Sequence, residues 1–337
     1  MPEPDLESPA DHKALKALRE DGALSAPAFW AGIRGANDPR AWADWAARLC
    51  LLIGATLVLA AIVFFFAFNW DGLGRLQKLG LLQGVTLLGL IGGQFAGFKT
   101  IGGKLLLTGA AVSVGVGFAV FGQVYQTGAD AFGFFAVWAV CITPWVAAGA
   151  FAPLWVLWFT LLNLTAFFFW DQVGQFHFIE YTYINLVLTV INGCGLIAIE
   201  ALGPRTRWLQ GRWLPPLFLI ASLTPLLIPA LNLVLDTPAD SVRTLLLGTA
   251  LWVLCLAGTF RYFTAKRYDG TALSIVLANI AGFLLCGIGR LFESIDLYNS
   301  GAGFLFMALI TAGMTALMIK ASRALKQRYG NTEGGEQ

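Results

Sequence analysis

The sequence predicts an all-α polytopic integral membrane protein with about ten transmembrane helices and both termini in the cytoplasm. Its residues are 57% hydrophobic and only 12% charged, whereas roughly a quarter of the residues of a soluble domain carry a charge. Apolar runs of about twenty residues, long enough to cross a bilayer as helices, recur along the chain. The loops between these runs differ in their basic residues, and that difference predicts the orientation.

Residues 1–44 form a polar segment with mixed charges, for which we expect two short cytoplasmic helices. Gly22 is placed to end the first helix, and Ser25 followed by Pro27 is typical of the start of the second. We expect the segment to dock on the membrane surface; a separate binding domain is the less favoured alternative. Two tryptophans are expected at interfacial depth before the first span, Trp42 and Trp45.

The transmembrane domain is expected over residues 45–320, followed by a polar cytoplasmic tail at 321–337. The expected spans are 46–68, 76–97, 104–124, 131–150, 153–170, 183–201, 213–234, 244–261, 271–289 and 302–319. The division between the fourth and fifth spans rests on length, because 131–170 has no charged residue and is too long for one crossing. Residues 149–153 supply the turn. We expect the first span to be retained, because it lacks a small-residue cleavage pattern.

Basic residues are concentrated on one side of this topology. All but four of the 22 lysines and arginines fall in the N-terminal segment, the even-numbered loops or the tail. The positive-inside rule therefore predicts cytoplasmic termini. The four exceptions are Arg75, Lys78, Arg243 and Arg290, and the acidic residues of the opposite, outer side are Asp71, Asp130, Asp171, Glu180, Asp236, Asp240, Glu293 and Asp296.

Small residues recur in the second and third spans at a spacing typical of close helix packing. They are Gly89, Gly93 and Gly97 in the second span, and Gly109, Ser113 and Gly117 in the third. The alternative is that these glycines permit a moving or unwound helix.

The seventh span contains Pro225 and Pro229, which indicate a kinked or broken helix because each removes a backbone hydrogen bond. Broken helices line substrate sites in transporters, although a kink that only improves packing is the favoured interpretation.

Several function classes are disfavoured. The net charge of +2 does not indicate nucleic acid binding. No ionisable residue lies at the centre of a span, which disfavours a proton-driven pump. No phosphate-binding loop, paired zinc-ligand motif or nucleophile elbow is present, so neither a metal nor another cofactor is predicted. The five cysteines are expected to be small buried packing residues: Cys50, Cys141, Cys194, Cys255 and Cys286.

A dense polar block at 122–130 separates two apolar runs on the predicted outer side. Its amides, carboxylate and tyrosine, with a tryptophan at the end of the first span, could grip a hydroxylated or sugar-like group. The candidate binding residues are Asn69, Trp70, Asp71, Gln123, Tyr125, Gln126, Thr127 and Asp130. If the third span stays helical to its end, Gln123, Gln126 and Asp130 share one face.

These residues also have structural interpretations. Asp130 is placed to cap the fourth span and Asp71 to cap the turn into the second. Tyr125 and Trp70 lie where an aromatic belt is expected. The outer loop at 171–183 is a third polar cluster, and Arg290 with Glu293 suits an ion pair on a helix surface.

The polar block carries a family resemblance. Gly122-Gln123-x-Tyr125-Gln126-Thr127-Gly128-Ala129-Asp130, followed by Trp138 and Pro144-Trp145, resembles the DUF2157 family. Asn69-Trp70-Asp71 with Lys78, and the leading Leu15-x-x-Leu18 with Gly22-x-Leu24-Ser25, extend the resemblance over residues 14–150. It implies a bacterial inner-membrane protein and brings no activity to transfer.

Three functions remain open. The leading hypothesis is binding or transport of a small polar or lipid-linked molecule through an outward-facing pocket. The alternatives are a membrane enzyme acting on an envelope lipid or glycan precursor, with Asp71, Asp130, Asp171 or Glu180 as acid or base, and a non-catalytic subunit of a membrane complex. The expected partners are the lipid bilayer, a lipid or glycan ligand and another membrane protein, and no nucleic acid.

Overall fold

The computed structural model of the chain describes residues 15–16, 18–19, 21–36, 42–43, 45–47, 49–50, 53–54, 57, 64, 70–126, 128, 130–174, 180–235, 241–265, 268–295, 297 and 301–329. Within this part of the chain, nine helices are long and apolar enough to cross a membrane. The expected multispan helical fold is thereby confirmed. Most of the expected first span, 46–68, lies outside the described residues.

Ten helices are numbered in chain order. They are α1 Ala26–Ala36, α2 Arg75–Ala96, α3 Ile101–Tyr125, α4 Ala131–Gly149, α5 Ala152–Phe169, α6 Tyr181–Leu202, α7 Leu214–Leu235, α8 Val242–Ala265, α9 Gly270–Ser294 and α10 Gly301–Tyr329. Helices α2 to α10 correspond in order to the expected second to tenth spans. A π-helical turn, Trp170–Gly174, extends α5, and α10 continues past the expected end of its span.

The chain divides into two compact units, Met1–Gly74 and Arg75–Gln337. In the first unit, Gly22 has a φ of +73° and follows a helical turn, as expected for a helix stop. The Ser25 hydroxyl accepts a hydrogen bond from the Ala28 N–H at the start of α1 (3.4 Å). Leu15 is buried, and a Cβ built on Gly32 of α1 would lie 3.0 Å from its Cδ2, so the two short helical pieces share a small apolar contact.

Helices α2 and α3 pack closely at small residues. A Cβ built on Gly89 would lie 3.0 Å from the Ala110 Cβ, and one on Gly103 would collide with the Gly97 carbonyl. Among the described residues, nothing lies within 4 Å of a Cβ on Gly109 or Gly117, so these two glycines take no part in the close contacts that the described helices make.

The close contact of α3 with α4 uses Gly115 instead. A Cβ on Gly115 would overlap the Trp138 indole, whose Nε1 donates to the Ala111 carbonyl (2.8 Å). The packed face of α3 is therefore determined by a bulky residue of α4. The spacing of small residues along α3 does not predict that face.

The uncharged stretch divides into two helices, as its length predicts. Helix α4 ends at Gly149, Ala150 adopts a left-handed conformation with a φ of +41°, and α5 starts at Ala152. The Lys104 ammonium of α3 lies 5.8 Å from the centre of the Phe151 ring in this turn. Lys104 thus places a positive charge beside a turn whose own residues carry none.

Helix α7 is not broken, although a broken helix is one of the two structures that its prolines indicate, the other being a kinked helix. It is a continuous helix through Pro225 and Pro229. The Thr189 hydroxyl of α6 donates to the Ser222 carbonyl (3.0 Å) in the turn before Pro225, and Pro229 packs 2.7 Å from a Cβ built on Gly248 of α8. Neighbouring helices therefore support the segment that the prolines weaken.

Three apolar clusters form the interior. One joins α3, α4 and α5, another joins α7, α8 and α9, and a third lies where α5 begins, α6 ends and α7 begins. In the third cluster Ala152 and Ile199 are both buried, which shows that α5 and α6 run antiparallel.

The cysteine expectation is wrong in part. Cys50, Cys141 and Cys194 are exposed, and only Cys255 and Cys286 are half-buried. An apolar run in a membrane protein has a lipid-facing side as well as a packed side, so membership of the run does not imply burial against protein. The expected ion pair is confirmed, because Arg290 Nη1 lies 2.8 Å from Glu293 Oε2.

Candidate functional site

The polar block lies at the junction of α3 and α4. Helix α3 ends at Tyr125, and Gln126 closes it in a left-handed conformation (φ 45°, ψ 47°), with its N–H donated to the Gly122 carbonyl. Gly128 also has a positive φ of 59°. The helix therefore stops before Asp130, and the expectation that Gln123, Gln126 and Asp130 share one helical face is wrong.

The side chains of the block are nevertheless accessible. Gln123, Tyr125, Gln126 and Asp130 are all exposed, and the Tyr125 ring packs against Phe121 with 4.7 Å between ring centres. An aromatic face, two amides and a carboxylate are thus presented within one helix junction. Thr127 lies outside the described residues.

Asp130 occupies the N-cap position of α4 with extended dihedral angles, but its side chain makes no capping hydrogen bond. Instead, the Phe132 N–H in the first turn donates to Gln172 Oε1 from the π-helical turn after α5 (3.3 Å). A side chain from another helix thus accepts the hydrogen bond of an N–H group that usually donates to a capping aspartate. The capping interpretation of Asp130 is wrong.

The other candidates belong to the first unit or lie outside the described residues. Trp70 and Asp71 form a short 3₁₀ turn, Trp70–Gly72, in the first unit. Asn69 lies outside the described residues, as do residues 175–179 of the outer loop.

Glu180 has a structural contact. Its Oε1 accepts a hydrogen bond from the Ser241 N–H (3.3 Å), which links the start of α6 to the start of α8. The Thr244 hydroxyl, together with Ser241, holds the pKa of Glu180 below its ordinary value, although burial partly opposes them. A carboxyl group with a lowered pKa is a poor general acid at neutral pH.

Within the described part of the chain, no group of three or more histidine, cysteine, aspartate or glutamate side chains is arranged to hold a metal ion.

A polar cavity of about 720 Å³ lies at the other end of the bundle, where α6 and α8 end and α7 and α9 begin. The Gln172 contact places the polar block beside the end of α5, and α6 runs antiparallel to α5. A helix of 22 residues, the length of α6, spans about 33 Å. The cavity and the block therefore lie at opposite ends of the helices.

The residues of this cavity were not among the candidates. Its polar lining includes Glu200, Gln210, Arg212, Tyr262, Tyr268 and Asp269. One signal in the sequence could have revealed it. Glu200 lies in the last turn of α6, where the helix dipole disfavours a negative charge, so a carboxylate there suggests a specific contact.

No curated protein and no solved structure matches the chain. Residues 18–155 match a family model described as a predicted membrane protein, DUF2157. The matched residues include α1, the α2–α3 hairpin, the polar block and α4. This match confirms the resemblance seen at the polar block over residues 18–155. Together with the nine apolar helices of the described residues, it supports a multi-pass membrane protein.

Proposed function

We propose that the protein binds, and moves across a bacterial inner membrane, a small polar or lipid-linked molecule. In this proposal the α3–α4 junction is the recognition site and faces outward, as the loop charges predict. The carrying observation is that Asp130 holds an exposed carboxylate at the start of α4 while Gln172 accepts the capping hydrogen bond. A carboxylate without a capping role is suited to a ligand.

The backbone of Gln126 supports the same proposal. A residue other than glycine in the left-handed region is strained by about 1 kcal/mol, and glycine is the usual residue at this position after a helix. Gln126 keeps an exposed amide at that cost. Strain of this kind often accompanies a functional side chain.

The chemistry of the junction favours a hydroxylated group. The Asp130 carboxylate and the amide oxygens of Gln123 and Gln126 accept hydrogen bonds from hydroxyls, and the amide N–H groups donate to them. The Tyr125 ring offers an apolar face, which suits the C–H side of a sugar ring.

The test is a binding screen on the purified full chain in lipid nanodiscs. Free monosaccharides, phospholipids and polyprenyl-phosphate-linked sugars are compared by native mass spectrometry. We expect one class to bind and Asp130→Asn to weaken it about tenfold, the loss of one hydrogen bond to a charged group. Gln126→Gly should also weaken it, while the melting temperature stays equal or rises because glycine relieves the strain.

Gln172→Ala is the matched control, since it removes the capping contact and should lower the melting temperature without removing a ligand group. The proposal fails if no class binds, or if Asp130→Asn and Gln126→Gly bind as the wild type does.

A further inference from the structure

The cavity at the ends of α6 and α8 adjoins an apolar groove. The groove has a volume of about 420 Å³, runs between α6 and α8, and is lined by Leu196, Ile197, Ala201, Gly258, Thr259 and Phe263. Glu200 and Tyr262 line both the groove and the cavity. The polar cavity and the apolar groove therefore meet at these two side chains.

The junction between them is defined by a hydrogen bond. The Tyr262 hydroxyl donates to Glu200 Oε2 (3.3 Å), which joins the last turns of the two helices. The groove is open beside Gly258, because no atom of the described residues lies within 4 Å of a Cβ built there. The carboxylate of Glu200 is thus placed where apolar surface gives way to the polar cavity.

The cavity carries charges of both signs. Arg212 supplies a guanidinium, and Glu200 supplies a carboxylate at the groove end. The second carboxylate, Asp269, has a structural role, because its Oδ1 accepts the Thr271 and Ala272 N–H groups at the start of α9 (2.8 and 3.2 Å).

Tyr268 adds a neutral donor to the cavity. Burial and the neighbouring Asp269 raise the pKa of Tyr268, so its hydroxyl stays protonated. Besides Asp269, the described lining therefore includes the Arg212 guanidinium, the Glu200 carboxylate and a phenol donor.

We propose that this composite site binds a phospholipid with a primary amine headgroup, of the phosphatidylethanolamine class, from the leaflet at this end of the bundle. One acyl chain occupies the groove between α6 and α8. The ammonium group meets Glu200, and the phosphate meets Arg212. The ammonium and phosphate of the headgroup are opposite in charge to Glu200 and Arg212, and an apolar chain fits the groove that opens beside these two residues.

Other headgroups fit less well. Phosphatidylglycerol offers no cation to Glu200. Phosphatidylcholine offers one without N–H donors, which cannot hydrogen-bond a carboxylate.

The experiment measures the dissociation constants of short-chain phosphatidylethanolamine, phosphatidylcholine and phosphatidylglycerol for the delipidated full chain, by native mass spectrometry. We expect phosphatidylethanolamine to bind about tenfold more tightly than the other two. Glu200→Gln should weaken phosphatidylethanolamine the most of the three lipids, and so reduce that preference. Glu293→Gln, an exposed carboxylate at the far end of α9, is the matched control and should leave all three constants unchanged.

Two further arms separate headgroup from chain. Gly258→Leu fills the groove, so it should weaken the lipid severalfold without affecting soluble glycerophosphoethanolamine. Arg212→Gln should weaken both. Equal binding of the three lipids, or an unchanged preference in Glu200→Gln protein with a wild-type melting temperature, would overturn the assignment. If Glu200→Gln does not fold, Glu200→Asp replaces it, since it shortens the side chain by one methylene and should reduce the preference. The site is independent of the proposed outer site, and neither result decides the other.

Discussion

Asn163 of α5 and Asn192 of α6 form a reciprocal amide pair within the bundle. Asn163 Nδ2 donates to Asn192 Oδ1 (3.1 Å), and Asn192 Nδ2 donates to Asn163 Oδ1 (2.7 Å). Each amide also donates to the carbonyl four residues earlier in its own helix, those of Phe159 and Leu188 (2.7 Å each). The two amide side chains thus connect α5 and α6 by hydrogen bonds, at a depth where water is scarce.

Removing one amide should therefore destabilise the protein through the other. We expect Asn163→Ala to lower the unfolding free energy by roughly 0.6 to 1.7 kcal/mol, the range for hydrogen bonds between membrane helices. In a double-mutant cycle, Asn163→Ala and Asn192→Ala together should cost less than the sum of the single changes. Additive costs would show that the pair is not energetically coupled. Gln83→Ala, an exposed amide on α2, is the control.

The contact of Gly115 with Trp138 predicts a pair of glycine variants with opposite outcomes. Gly115→Ala inserts a methyl group into the indole ring position and should cost about 1–3 kcal/mol of stability, as overpacking does. Gly117→Ala, one half-turn further along α3, meets no atom of the described residues within 4 Å and should be neutral or stabilising by up to about 1 kcal/mol, the difference in helix propensity. Melting temperatures in detergent measure both. Equal destabilisation by the two variants would contradict the packing of α3 against α4.

The lowered pKa of Glu180 predicts that the folded protein loses stability at acidic pH. Because its pKa is lower in the folded protein, its contribution is present above the ordinary carboxyl pKa of about 4.3 and is lost as the pH falls through the folded value. We expect the melting temperature to fall more steeply between neutral pH and pH values below about 4 in the wild type than in Glu180→Gln protein. Parallel curves for the two proteins would contradict this role. Glu293→Gln again serves as the control.

The orientation of the helices can be tested with cysteine labelling. In a background without the five native cysteines, Asp130→Cys and Arg207→Cys each place a thiol at an exposed position, and the two lie at opposite ends of the bundle. In right-side-out vesicles, a membrane-impermeant maleimide should label the first and spare the second, because the loop charges predict an inward position for Arg207. Labelling in the reverse pattern would invert the topology and would place the polar block inside.

The sequence predicts the nine described spans well and the contacts between them poorly. The bounds of α2 to α10 follow from apolar runs that end at polar residues, which is a local property. Gln172 reaches the start of α4 from a position forty residues along the chain, and the pattern around Asp130 contains no sign of it. The support of α7 by Thr189 is likewise a contact between helices, so the effect of Pro225 could not be decided from α7 alone.

The cavity near Glu200 was missed for the same reason. Its lining comes from the ends of α6 and α8 and the starts of α7 and α9, which become neighbours only when the bundle is assembled. Residues of the polar block, by contrast, are adjacent in sequence, so they can be identified as a candidate site from the sequence alone.

The turn at Ala150 has a consequence for biogenesis. The α4–α5 hairpin has no lysine or arginine in its turn, so it carries no orientation signal of its own during insertion. Lys104 of the preceding helix lies over Phe151 in that turn, and α3 leaves the translocation machinery first. We therefore expect the hairpin to take its direction from the preceding helix, and Lys104, a residue of α3, to contribute to the orientation of α4 and α5.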